Sequence, residues 1–211
     1  MAQQPTPPDV DQVIRRSRIA LVKHLSVRLA VGIALVAVPF VLRLAGAPVS
    51  LFTVLPVVPG LFVLLFLYLR IPLGRRLKVS EKVLRTYPLE YRTRLVRKRS
   101  QRQLLGNVHT IKLSVRGQHG ARIMRAVHTS STRRWPEGAE GNGAWFAGDP
   151  AYGGVLIVPS TGDMFLLQPA PWEQLAGERA EASQDRREKA EGAGISQRLE
   201  KESNRMAGLG N

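Results

Sequence analysis

The sequence predicts a membrane α-helical hairpin, a cytoplasmic mainly-β domain built as a small barrel or sandwich of six or seven short strands, and a helical or disordered C-terminal tail. Three observations predict it. Two uncharged apolar stretches lie close together near the N-terminus. After them the apolar period becomes two, the period of a half-buried strand. The charge is also segregated: of a net +15 over 211 residues, residues 70–134 carry 18 Lys and Arg against only Glu81 and Glu90.

Residues 1–8 read as disordered. In the segment 9–24, Asp9 with Gln12 three residues on resembles a capping box, and Val10, Val13, Ile14, Ser17 and Leu21 share one face. The segment is therefore either an amphipathic helix lying on lipid or the early start of the first span. The first transmembrane helix is placed at 25–46. Its 14 uncharged residues between Arg28 and Arg43 are lengthened by arginines that can reach the headgroups. The second is placed at 51–69, 19 residues without a charge that end in Tyr68 and Leu69 and are followed by Arg70. A secretory signal is disfavoured by the basic leader and by the second apolar stretch. Ala30, Ala34 and Ala37 give span one a small-residue side for packing.

Cations concentrate on one side of the hairpin, whose connecting loop has no charge beyond Arg43. Arg15, Arg16, Arg18, Lys23 and Arg28 precede it; Arg70, Arg75, Arg76 and Lys78 follow it. The positive-inside rule then expects a multi-pass plasma-membrane protein with both termini in the cytoplasm.

Residues 70–172 form the expected basic β domain. In "LEYRTRLVR", Leu89, Tyr91, Thr93 and Leu95 alternate with Glu90, Arg92 and Arg94; "VHTIKLSVR" alternates likewise. "GQHG" is a candidate hairpin turn into "ARIMRAVHT", and "GAWFAG", "GVLIVP" and "DMFLLQP" are short apolar runs between turn residues. "GDPAYGGVLIVPSTGD" could pass for a phosphate loop, but its glycines lead into a β-branched run and not a helix, so turns around a strand are expected. Residues 173–211 are a charged tail, helical or disordered, with too few apolar residues to drive burial and an expected break near Gly192–Gly194.

No cysteine is present, which excludes disulfides and thiolate metal sites. Four histidines (His24, His109, His119, His128) show no zinc spacing and no neighbouring carboxylate base, so neither a metal nor another cofactor is expected and no catalytic residue is assigned. His109 falls on the buried side of its strand. The basic run "RTRLVRKRSQR" is the candidate binding element: Arg92, Arg94, Arg97, Lys98, Arg99 and Arg102 would meet anionic lipid or an acidic protein. A non-catalytic scaffold or adaptor at the inner membrane surface is the leading expectation. A membrane tether for nucleic acid is the alternative, and an enzyme with an unrecognised site is the second alternative.

"LRTYPLEYRTRLVRK", "RRWPEGAEGNGAWFAGDPAYGGVLIVP" and "DMFLLQP", taken with the hairpin, resemble small conserved integral membrane proteins of actinobacteria, notably Streptomyces. The resemblance covers about residues 25–172. It implies a membrane protein and assigns no functional residue.

Overall fold

The computed structural model describes residues 5–46, 48, 54–68, 71–93, 95–103, 106–114, 121–129, 135–136, 139–141 and 143–198. Helix α1 (Val10–Leu44) is one unbroken helix of 35 residues, about 52 Å at 1.5 Å per residue. Asp9 caps it, its carboxylate accepting from the Asp11 and Gln12 amides at 3.0 and 3.3 Å. The first third of α1 does not stand apart as a lipid-lying segment. Val13, Ile14 and Leu21 are buried in the same core as helix α3 (Ile71–Thr86), and Arg18 pairs with Glu81 of α3 at 2.9 Å. The first turns of α1 thus pack with α3 in the core shared with the β domain.

Helix α2 (Val57–Tyr68) packs along α1. The contact centres on glycine, with only Ala37 of the alanine side half-buried. Ala30 and Ala34 are exposed, whereas Gly32 and Gly60 are buried. A Cβ on Gly60 would lie 2.9 Å from Val36 Cγ2 and 3.2 Å from the Gly32 carbonyl oxygen. Two helical stretches, Val10–Leu44 and Val57–Thr86, are long and apolar enough to cross a membrane. Their apolar windows are only 6 and 14% buried, so they do not have the surroundings of a soluble protein's core helix.

After α3, seven strands form one antiparallel sheet: β1 (Glu90–Arg92), β2 (Leu95–Gln103), β3 (Gly106–Ser114), β4 (Ala121–His128), β5 (Ala144–Asp149), β6 (Gly153–Ile157) and β7 (Met164–Pro169). The order is β1-β5-β6-β7-β4-β3-β2. The two edge strands, β1 and β2, are thus neighbours in sequence, joined at a bend at Thr93, and the sheet curls into a half-barrel. Alternation restarts at that bend. Arg92, expected on the wet side, faces inward beside Ala144, pairs with Glu90 and lies over the Phe146 ring.

The concave face holds Leu95, Ile111, Leu113, Met124, Phe146, Leu156, Phe165 and Leu167. The opposite face at β5, β6 and β7 (Trp145, Val155, Ile157, Leu166) is covered by α3 through Leu77, Val79, Val83 and Leu84. The "GDPAYGG" stretch is a turn: the Ala151 amide donates to the Asp149 carboxylate at 2.9 Å and the Tyr152 amide to the Asp149 carbonyl at 3.0 Å. Gly153 has φ 128°, and a Cβ there would lie 2.4 Å from the Leu167 carbonyl oxygen, so glycine lets β6 lie close on β7.

The tail departs from its solvated expectation. A 3-10 turn (Glu173–Leu175), α4 (Ala176–Ala180) and α5 (Gln184–Ala193) follow the sheet, and α5 ends at a left-handed Gly194. Ala190, Ala193 and Ile195 are completely buried in the core shared with α3. Small side chains let α5 approach α3 closely, so little apolar content is needed. Asp149 is clamped from this side by two bonds from Arg186, at 2.9 and 3.0 Å. Residues 199–211, part of the expected tail, lie outside the described residues.

Candidate functional site

The sheet divides the basic run between its two faces. Arg92 is buried. Arg97 pairs with Ile111, a concave-face residue, and its guanidinium meets Glu140 at 3.2 Å. Lys98 and Arg99 are exposed at a register shift between Arg97 and Arg99. Arg94, and the side chain of Arg102 in β2, lie outside the described residues. Among the described members, Arg92 and Arg97 do not share a face with Arg99.

A different set does come together. Across the convex face the register runs Arg99–Thr110–Arg125–Gln168, with Val96–Lys112–Ile123 as the neighbouring row. Strands about 4.8 Å apart place Arg99 and Arg125 on either side of Thr110, about 10 Å from each other, with Lys112 about 7 Å along β3. Val96 is 53% exposed, and Val108, Ile123 and Val127 are half-buried. Where β5 and β6 carry α3, this end of the sheet has no helix over it among the described residues. Its surface mixes cations with short apolar side chains.

The sign of the charge is uniform. From Tyr91 to Pro136 the chain holds 12 Lys and Arg and no Asp or Glu. Carboxylates reach these strands from elsewhere at Arg97, by Glu140, and at Arg122, where Glu178 binds at 2.7 Å. A one-sign field of this kind attracts anions and excludes cations. The β2 cations also serve the fold, because Lys98, Arg99 and the bulge beside them deter pairing of an edge strand with another chain. Lys112 and Arg125 lie on interior strands and have no such role.

Lys112 and Arg125 were outside the basic run, yet the alternation of β3 already put Thr110 and Lys112 on its wet side. What the sequence lacked was register, which lines up β2, β3 and β4. The cations flanking the hairpin keep their places. Arg15, Arg16, Arg18 and Lys23 are exposed on α1 and Arg28 is half-buried; Arg75 and Lys78 are exposed on α3 and Arg76 is half-buried. Arg70 lies outside the described residues.

One further cluster gathers titratable groups on the concave face. His109 is buried between Trp135, at 5.0 Å, and Phe165, at 6.1 Å, and shares a 2.7 Å hydrogen bond between Nδ1 and Ser100 Oγ. His128 meets the same Phe165 ring edge to face, at 4.7 Å, and Asp163 at 3.3 Å. Burial, then the nearby positive charge of Arg97, lowers the His109 pKa to about 4. A neutral imidazole this weakly basic is a poor proton acceptor for a Ser100 nucleophile. Asp163 is held below the ordinary carboxylate range by its bond to His128. Asp149 is not part of this cluster; it lies across the sheet with Arg186. Among the described residues no group of three or more His, Asp or Glu could hold a metal ion.

No protein-family model matches the chain, and neither a curated protein nor a solved structure matches it.

Proposed function

We propose that the chain is a non-catalytic integral membrane protein that holds a basic β half-barrel at the inner membrane surface, where the convex face of β2–β4 docks on anionic lipid headgroups. The carrying observation is the face itself: Arg99, Lys112 and Arg125 among exposed or half-buried valine and isoleucine, on three strands without one carboxylate. Each cation gains about 1 kcal/mol near an anionic leaflet, and the tether keeps the membrane at high effective concentration. In this reading α1 and the apolar stretch 51–69, which contains α2, supply the two spans. Lys and Arg on both flanks keep both termini in the cytoplasm of a cell whose plasma membrane the protein occupies. An acidic protein partner is recognised by the same chemistry. A nucleic-acid tether is the second reading, since stacking of bases asks for exposed aromatics and the described part of this face carries cations and aliphatic side chains.

The test is hydrogen exchange of the full chain in neutral and in anionic nanodiscs. The β2–β4 amides should gain protection in anionic discs only, lose it at high salt, and lose it when Arg99 and Lys112 are replaced by glutamate. Equal exchange in both discs would refute lipid docking. Stronger protection by added duplex nucleic acid than by anionic lipid would favour the tether.

A further inference from the structure

The buried face of α3 contains an unanswered pair of donors. Arg76 and Ser80 stand one turn apart on that face, so their side chains are neighbours. Arg76 Nη1 and Ser80 Oγ are both sealed from solvent, and neither has a hydrogen-bond partner among the described residues. Ser80 is completely buried. Glu81, the acid nearest in sequence, is already engaged by Arg18 and Arg85. Burial lowers the Arg76 pKa and no carboxylate offsets it. A cation and a hydroxyl left together without an acceptor suit an anion with several oxygens.

Their position says where such an anion comes from. Arg76 lies five residues, about 7–8 Å, into α3, directly after the apolar stretch of α2. Helical side chains tilt toward the helix N-terminus, which here is the end next to that stretch. Arg76 thus stands about a turn and a half below that stretch. Lys78 stands exposed on the same helix and adds positive charge near Arg76 and Ser80.

We propose that Arg76 and Ser80 form a site for the phosphate of one anionic phospholipid, inserted at the junction of the hairpin and the β domain. The proposal rests on the reading of α1 and the stretch 51–69 as membrane spans and is independent of the convex sheet face. Bound there, the lipid joins α3 to the bilayer and sets the height of the half-barrel above the surface.

Native mass spectrometry of the full chain in neutral detergent tests it, with phosphatidylglycerol and phosphatidylcholine as probes and inorganic phosphate as competitor. One phosphatidylglycerol should be retained in preference to phosphatidylcholine. Arg76→Gln should weaken it roughly tenfold or more, the worth of a charge-assisted bond. Ser80→Ala should weaken it roughly threefold to tenfold while the chain stays folded, because alanine relieves an unpaired buried hydroxyl; this variant decides the matter where Arg76→Gln does not fold. Arg99→Glu with Lys112→Glu should leave this lipid in place. Retention unchanged by both site variants overturns the proposal. Loss on the Arg99 and Lys112 changes would overturn it too, while leaving the docking face intact. Displacement by inorganic phosphate would overturn the lipid as the source of the phosphate.

Discussion

Acidification should destabilise the half-barrel through His109. In the fold its pKa falls from 6.5 to about 4, because the ring is enclosed by Trp135 and Phe165 with Arg97 nearby. The folded state thus binds fewer protons than the unfolded chain between these values, and stability falls as pH drops through the window. It is complete above pH 6.5 and decreases by about 1.4 kcal/mol per unit below it. At pH 5 the loss is about 2 kcal/mol, or about 1–2 kcal/mol once partial screening is allowed. A melting temperature lower by roughly 3–8 °C follows for a chain of this size. Asp163 adds nothing to this slope, since a depressed carboxylate loses its contribution only below its ordinary value of 3.8. Thermal unfolding of the full chain at pH 7.5 and pH 5 provides the assay, with His109→Gln as the comparison. The variant should lose most of the pH dependence. Equal shifts in both proteins would refute the assignment of a buried neutral imidazole.

The other predictions concern packing. Gly60→Leu should separate α1 from α2 and cost about 1–3 kcal/mol, measured by steric trapping in bicelles, because the Gly32 carbonyl and Val36 already crowd that position. Gly74→Ala, with nothing within 4 Å of the new methyl group, should instead stabilise α3 by about 0.5–1 kcal/mol. Arg186→Gln should cost about 2 kcal/mol in chemical unfolding. The Asp149 side chain is 8% exposed and would keep only the Ala151 amide, although Arg186 is itself 44% exposed, which moderates the effect.

Local chemistry made much of the fold legible. Alternation in "VHTIKLSVR" placed His109, Ile111 and Leu113 inward, and the Asp9 cap and the turns around β6 were readable from neighbouring residues alone. The failures share a cause in long-range geometry. Arg92 turned inward because the chain bends at Thr93 to serve both edges of one sheet. The tail helix was buried because Ala190 and Ala193 are small, a property that carries no amphipathic signal. The close approach of Gly32 to Gly60 depended on how two apolar helices cross, which an apolar run does not encode. The candidate site followed the same rule. Its charge was visible as a block, but its members were selected by register, which added Lys112 and Arg125 and removed Arg92.

A single cysteine at Thr110 tests the central claim most directly, since the chain has no other. Thr110 sits between Arg99 and Arg125 on the convex face. With an environment-sensitive fluorophore there, the full chain in anionic nanodiscs should show a blue-shifted emission that neutral discs do not give and that high salt abolishes. The shift should also vanish with Arg99→Glu and Lys112→Glu. Identical emission in neutral and anionic discs would contradict docking of this face on the membrane.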